Sequence, residues 1–210
     1  MEGFWGYLLA GLAAYLLGSL NFGVIVSHLC YRDDIRRHGS GNAGTTNALR
    51  TYGKGAAAAV LVGDFLKGTA AVWLGCALTG QLLGGWLASL LVVLGHMFPV
   101  FFGFRGGKGV ATAAGAILLL NPYILLGLLA VFVLIIACTR YVSLASVVVA
   151  GLFPVLTLAY GLAVKMAPQG IAVTAGFALA AGGLVIWKHR TNIQRLRAGT
   201  ESRLGTKKAK

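Results

Sequence analysis

Four polar segments of this 210-residue chain carry residue types suited to phosphate chemistry. The first is Gly39-Ser40-Gly41-Asn42-Ala43-Gly44-Thr45-Thr46-Asn47, followed by Arg50. The second is Gly95-His96-Met97-Phe98-Pro99, running on into Gly103-Phe104-Arg105-Gly106-Gly107-Lys108-Gly109-Val110-Ala111-Thr112. The third is Arg140-Tyr141-Val142-Ser143, and the fourth is His189-Arg190-Thr191-Asn192, reaching Arg195, Thr200 and Glu201. Glycines let successive backbone N–H groups converge on one point, and such nests bind anions, above all where a helix begins. Gly106-Gly107-Lys108-Gly109 opens an apolar run, so its amides, the helix dipole and the Lys108 charge can face one phosphate. Ser40, Asn42, Thr45, Thr46 and Asn47 supply hydroxyls and amides in the other loop, with turns at Gly41 and Gly44. Arg50 adds a planar fork that fits two phosphate oxygens. The plainer reading is that these glycines only make turns or close helix contacts, as small residues do in membranes. Two such loops bearing cations favour the anion reading.

Several familiar chemistries fail on the residues. A P-loop needs glycine at position 102, which is Phe102, and Lys108 is followed by Gly109 rather than a hydroxyl residue. No Gly-x-Ser-x-Gly elbow occurs, and no carboxylate in the loops completes a Ser-His-Asp triad. The acids are Glu2, Asp33, Asp34, Asp64 and Glu201, too few for paired-carboxylate chemistry. His28 and Asp33 have the His-x4-Asp spacing of one glycerolipid acyltransferase family, but a continuous helix places them on different faces. Cys30, Cys76 and Cys138 are scattered, with no Cys-x-x-Cys pair and no zinc spacing, so neither a disulfide framework nor a metal site is expected. Asp64 and Lys67 stand three apart inside an apolar run and can neutralise each other across one helical turn. His96 is expected to hold a loop backbone group rather than to do chemistry. His189 and Asn192, three apart on one helical face, are candidates to touch substrate.

The elements that must position these segments are membrane helices. The chain is 58% hydrophobic and only 11% charged, with a mean hydropathy of +0.81. One soluble core of this size cannot hide that much apolar surface. Apolar runs cover residues 4–28, 56–78, 82–102, 110–120, 123–138, 142–164 and 171–187. A bilayer core of about 30 Å takes roughly 20 helical residues, so the fourth run reaches about halfway across. Asn121-Pro122 separates it from the fifth. The expectation is an all-α, polytopic bundle of about seven transmembrane helices, with short or re-entrant helices around residues 104–138. It is expected to form a single integral-membrane domain over residues 1–210. The N-terminus lacks the basic region of a signal peptide, so the first run is expected to remain in place.

The charge balance looks at odds with so apolar a chain: 18 Lys and Arg against five acids, net +13. Five of the cations lie in loop 29–55, two in loop 103–109, and Arg140 in the turn at 139–141. Eight more lie in the tail 188–210, including Lys207, Lys208 and Lys210. Alternating seven spans puts these sixteen on one side, leaving Lys165 opposite and Lys67 within a run. By the positive-inside rule that side is cytoplasmic, with the N-terminus outside and the C-terminus cytoplasmic. Most of these charges, Arg32, Arg36 and Arg37 among them, need only orient the chain and touch anionic headgroups. Ile193, Leu196 and Leu204 let the tail lie along the membrane surface. Nucleic acid is not an expected partner, because no basic domain with interleaved aromatics stands clear of the membrane.

Taken together, the polar segments resemble the blocks of the bacterial membrane acyl-phosphate:glycerol-3-phosphate acyltransferases, the PlsY family. Gly39 to Asn47 resembles the first block, Gly95 to Thr112 the second, and His189 to Leu196 with Gly199-Thr200-Glu201 the third. Arg140-Tyr141-Val142-Ser143 resembles a further family segment, and Arg105 departs from a position where lysine is common. The resemblance implies transfer of a fatty acyl group from acyl phosphate to the 1-hydroxyl of glycerol 3-phosphate, giving lysophosphatidic acid and phosphate for phospholipid biosynthesis. It implies no cofactor and no metal, a multi-pass place in the bacterial inner membrane, and the peripheral enzyme that makes acyl phosphate as a partner beside membrane lipid. On this reading Lys108, Arg50 and the amides of Gly106, Gly107 and Gly109 hold phosphate. Ser40 and Asn42, with Gly41, Gly44, Thr46 and Asn47 around them, bind the donor. Ser143, His189 and Asn192 orient glycerol 3-phosphate. The base stays open between neutral His189 and the donor's own phosphate, and the scarcity of carboxylates favours direct transfer over an acyl-Ser40 intermediate. A transporter of a phosphorylated solute is the competing class, although its site belongs near the bilayer midplane, where only Asp64 and Lys67 are charged. A lipid-binding scaffold explains the apolar content but not the two loops.

Overall fold

The structure is a computed structural model that describes residues 3–205, so Glu2, Lys207, Lys208 and Lys210 lie outside the described residues. It is helical throughout, and the helices follow the apolar runs: α1 Phe4–Ser19, α2 Phe22–Tyr31, α3 Thr45–Thr51, α4 Lys54–Thr79, α5 Leu82–Met97, α6 Val110–Leu120, α7 Pro122–Thr139, α8 Val142–Ala163, α9 Pro168–Lys188 and α10 Arg190–Arg197. Six segments of the described residues are long and apolar enough to cross a membrane, counting α1 and α2 together; α6, with 11 residues, is the short one. The chain is an integral membrane protein, and its lipid-facing surface includes exposed Phe4, Trp73, Leu126 and Leu162. Contacts group the chain into two compact units, Met1–Leu120 and Asn121–Lys210.

In the first unit α1 packs on α5, and α4 packs on α5 and α6. The contacts are backbone against backbone. A Cβ on Gly18 would overlap the Val92 carbonyl, and one on Gly95 the Tyr15 carbonyl. Gly95, read from the sequence as part of a phosphate-type block, is thus required for close approach of α5 to α1. Between α4 and α6, a Cβ on Gly115 would overlap the Phe65 carbonyl, and Thr69 Oγ1 donates to Gly115 O at 2.8 Å. Packing of small residues is a main source of helix association where no water is present. Gly115→Ala is therefore expected to destabilise this unit by about 1–3 kcal/mol, the usual cost of overpacking. A thermal unfolding midpoint in detergent equal to that of the parent chain would contradict it.

The first apolar run is not one helix. It breaks at Leu20-Asn21, where Asn21 Oδ1 accepts from Val24 N at 3.2 Å and starts α2. A side chain that caps a new helix competes with continuing the old one. The break leaves the carbonyls of Gly18 and Leu20 without helical partners, and Lys67 Nζ donates to both, at 3.0 and 2.8 Å. Asp64 and Lys67 form the ion pair expected from their spacing, at 2.8 Å, both almost fully buried.

In the second unit α8 packs on α7 and α9, and α10 touches both α8 and α9. Asn121 Oδ1 accepts from Ile124 N at 3.1 Å and caps α7, with Pro122 at its first turn. The residues after α10 fold back on this unit: Leu204 N donates to Arg140 O at 2.7 Å, and Arg203 sits over the Tyr141 ring.

Candidate active site

The loop between α2 and α3 is anchored from below by an apolar plug. Ile35 is fully buried with Val24, Ala43, Ala48 and Val60. Above it the chain turns through Gly39 and Gly41, both with left-handed φ. Asn47 holds the turn together: its Oδ1 accepts from Ser40 N at 2.9 Å, and its Nδ2 donates to the carbonyls of Ile35 and His38 at 3.2 and 3.0 Å. Asn47 is buried, so it supports the loop from inside, and its expected role as a substrate contact gives way to that of a positioning residue. Ser40 and Gly41 are exposed at the tip, with Asn42, Gly44 and Thr46 half-buried beside them. Arg50 is exposed on α3.

Arg36 was expected only to orient the chain, and here the structure corrects the sequence reading. Its Nη1 donates to Phe102 O at 2.7 Å and to Arg105 O at 3.3 Å, while Nε and Nη2 grip Asp34. One guanidinium therefore ties the Ser40 loop to the segment leading into Gly106-Gly107-Lys108-Gly109. The hydrogen bonds from Arg36 hold the Asp34 carboxyl down at about 2. A lowered folded pKa gives stability that is complete above the usual value of 3.8 and is lost as pH falls from there through about 2. The difference in thermal midpoint between the parent chain and Arg36→Ala is thus expected to be constant above pH 4 and to narrow toward pH 2. A difference that does not change with acid would refute the Asp34 contribution.

A second acidic group lies under the same loop. Asp33 Oδ2 accepts from Tyr52 Oη at 2.8 Å and faces His38 Nε2 at 2.8 Å. The Tyr52 bond, with His38 next, lowers the Asp33 carboxyl. Burial and the Asp33 bond push the Tyr52 phenol up to about 12. Asp33 is thus engaged with Tyr52 and His38 and not with His28, whose Nδ1 lies 3.0 Å from Val24 O. The His-x4-Asp spacing forms no pair among the described residues. A His–Asp pair does stand two residues from Ser40, which sequence reasoning missed, yet no hydrogen bond joins His38 to the Ser40 hydroxyl there.

The glycine loop before α6 lies directly on His96. Gly107 N donates to His96 O at 3.1 Å, which takes that amide out of the expected anion nest. A Cβ on Gly106 would overlap the His96 carbonyl, and one on Gly107 the His96 ring at Nε2. Gly109 has φ 82° and leads into α6. Lys108 is half-buried between the buried Gly107 and Gly109. The loop bond is made by the His96 main-chain carbonyl rather than by its ring, whose Nδ1 faces Lys67 and Asp64.

In the second unit His189 is buried at the junction of α9 and α10. Its Nδ1 lies 2.8 Å from Val185 O; a carbonyl only accepts, so Nδ1 carries a proton. Asn192 is buried and donates to Glu201 Oε1 at 2.7 Å, while Arg195 Nε donates to Oε2 at 2.7 Å. Burial pushes the Glu201 carboxyl up, but Arg195, Asn192 and Ser143 outweigh it and leave it below the usual range. Glu201 organises this cluster, although the sequence showed it only as the end of a block. Ser143 is buried in the first turn of α8. No group of three or more metal-type ligands occurs among the described residues.

Comparison with known proteins bears on both units. The family described as glycerol-3-phosphate acyltransferase matches residues 8–199. A glycerol-3-phosphate acyltransferase of Clostridioides difficile (strain 630) is 46% identical over 209 residues, covering 97% of this chain and 98% of the relative. One from Syntrophomonas wolfei is 45% identical over 92% of this chain and 94% of the relative. The crystal structure of PlsY (YgiH), an integral membrane glycerol 3-phosphate acyltransferase, in its glycerol 3-phosphate form superposes with a TM-score of 0.82 at 37% identity. That match covers 95% of this chain and 96% of the other, and the lysophosphatidic acid form gives 0.80.

Proposed function

The chain belongs to the glycerol-3-phosphate acyltransferase family, and from that premise we propose that it acylates glycerol 3-phosphate at the 1-hydroxyl with acyl phosphate as donor. The products are lysophosphatidic acid and inorganic phosphate. The observation that carries the donor assignment is the Arg36 tie, which holds two glycine-bearing, cation-bearing loops in one unit. Acyl phosphate is a mixed anhydride with phosphate as a ready leaving group. The enzyme need only align the hydroxyl and neutralise charge.

The hydroxyl oxygen of glycerol 3-phosphate attacks the acyl carbon, the bond from that carbon to the phosphate oxygen breaks, and the hydroxyl proton passes to the departing phosphate. Lys108, Arg50 and the amides of Gly106 and Gly109 hold that phosphate and stabilise its negative charge. Ser40 and Asn42 bind the donor, with Gly41, Gly44 and Thr46 shaping the loop and Asn47 bracing it. In the second unit Ser143, His189 and Asn192 orient glycerol 3-phosphate. The donor phosphate is the preferred base; neutral His189 is the alternative. We assign the chain to the bacterial inner membrane as one acyltransferase domain over residues 1–210, with its polar loops on the cytoplasmic face. Its partner is the peripheral enzyme that supplies acyl phosphate.

The test is a purified-protein assay. With acyl phosphate and glycerol 3-phosphate, one lysophosphatidic acid should form per phosphate released, and acyl-CoA should not replace the donor. No lysophosphatidic acid under these conditions refutes the enzyme reading; equal rates with acyl-CoA refute the donor assignment.

A further inference from the structure

Asp64 and Lys67 are not needed by the acyl transfer just described, yet they are buried, charged and in contact with His96, on which the loop that serves it lies. Lys67 Nζ has four oxygen or nitrogen partners: Asp64 Oδ1 at 2.8 Å, Leu20 O at 2.8 Å, Gly18 O at 3.0 Å and His96 Nδ1 at 3.0 Å. The ion pair grips the Nδ1 edge of the His96 ring, which accepts from the ammonium in one tautomer and donates to the Asp64 carboxylate in the other. Nε2 is the atom against which Gly107 is folded, and the His96 carbonyl takes the Gly107 amide. Asp64 Oδ1 also lies 3.3 Å from His96 Nδ1, so one carboxylate oxygen faces both partners. The imidazole is buried, with 4% of its side chain exposed, and is held from both ends.

A buried ion pair alone is poor evidence for stability, because neutralising both members often costs nothing. What distinguishes this one is its third member. The ring that Lys67 orients is the floor of a loop with no side chain at Gly106, Gly107 or Gly109 to hold its shape. We propose that Asp64, Lys67 and His96 form a buried positioning relay: Asp64 fixes the Lys67 ammonium, Lys67 fixes the His96 ring, and His96 sets the Gly106–Gly109 backbone in its phosphate-binding form. All three are positioning residues for the proposed reaction, and none touches substrate. The inference rests on the reading of that loop as a phosphate site.

Equilibrium binding of inorganic phosphate to the purified full chain tests it without relying on acyl transfer. Lys67→Met and His96→Leu are each expected to weaken phosphate binding about tenfold, the effect typical of losing a supporting partner of a site. Because both act through one ring, the double variant should be no weaker than either single one. Additive losses, unchanged binding in His96→Leu, or absence of phosphate binding in the parent chain would each overturn the relay. Should Lys67→Met fail to fold, His96→Asn compared with His96→Leu decides. Asparagine keeps a polar amide near the Nδ1 position, able to accept from Lys67 or donate to Asp64, and should recover part of the affinity, whereas equal losses in the two would overturn the relay. A parent chain that binds phosphate but makes no lysophosphatidic acid refutes the proposed reaction and leaves the relay to be judged on these binding values.

Discussion

Lys108→Ala and Arg50→Ala should each abolish measurable turnover while leaving the fold intact. The charge on the leaving phosphate grows as the acyl–oxygen bond breaks, and fixed cations beside it act where water is largely excluded. Removing one such group typically costs about 10²–10³ in rate. Lys108 lies between glycines at the start of α6, and Arg50 is exposed on α3, so neither truncation opens a cavity in packed helices. The unfolding midpoint of each variant should match that of the parent chain. A steady-state assay of lysophosphatidic acid formation checks the prediction, and rates close to the parent's in both variants would refute the phosphate assignment. The conservative change Arg50→Lys is expected to recover only part of the rate, because an ammonium cannot present two parallel donors.

Gly106→Ala is the second large effect. A methyl group there meets the His96 carbonyl oxygen, which is helix backbone and cannot swing aside as a flexible side chain would. The loop must therefore lift from His96, breaking the Gly107 N to His96 O bond. A misplacement of about 1 Å in a catalytic group can cost about 10²-fold, and the same order is expected here in acyl transfer. Hydrogen exchange should rise at residues 106–109 and stay unchanged in α4 and α5. A variant with normal rate and normal exchange would show that the loop does not depend on its contact with His96.

The apolar runs were legible because hydrocarbon leaves a helix no substitute for sustained apolar sequence. Run limits and helix limits agree to within a few residues at Val110–Leu120 and Val142–Ala163. The site was legible as residue types: glycines flanking cations announced two loops. Its supports were not. Arg36 reads as one of many loop cations until the chain folds and Phe102 O, 66 residues away, comes within 2.7 Å. The Lys67 to His96 contact spans 29 residues and two helices, and no local periodicity encodes it. Asn47 looked like a substrate ligand because its amide suits one, but three loop groups already engage that amide. The break at Leu20-Asn21 lay inside a run that read as one span, and the distant lysine that satisfies its carbonyls, with the Asn21 cap, makes it tolerable.

That lysine ties the order of events during biosynthesis to the architecture. Placing a lone lysine at the centre of a spanning helix costs roughly 2.5–3.5 kcal/mol on insertion scales, and each bare carbonyl in lipid costs several kcal/mol as well. The first segment arrives with acceptors at Gly18 and Leu20, and the second with the donor at Lys67 and its counter-charge at Asp64. Each is a poor solute for lipid alone, and together they are a good one. The first two spans are therefore expected to enter the bilayer together as a helical hairpin, after the Ser40 loop that joins them and before the Gly106–Gly109 loop is synthesised.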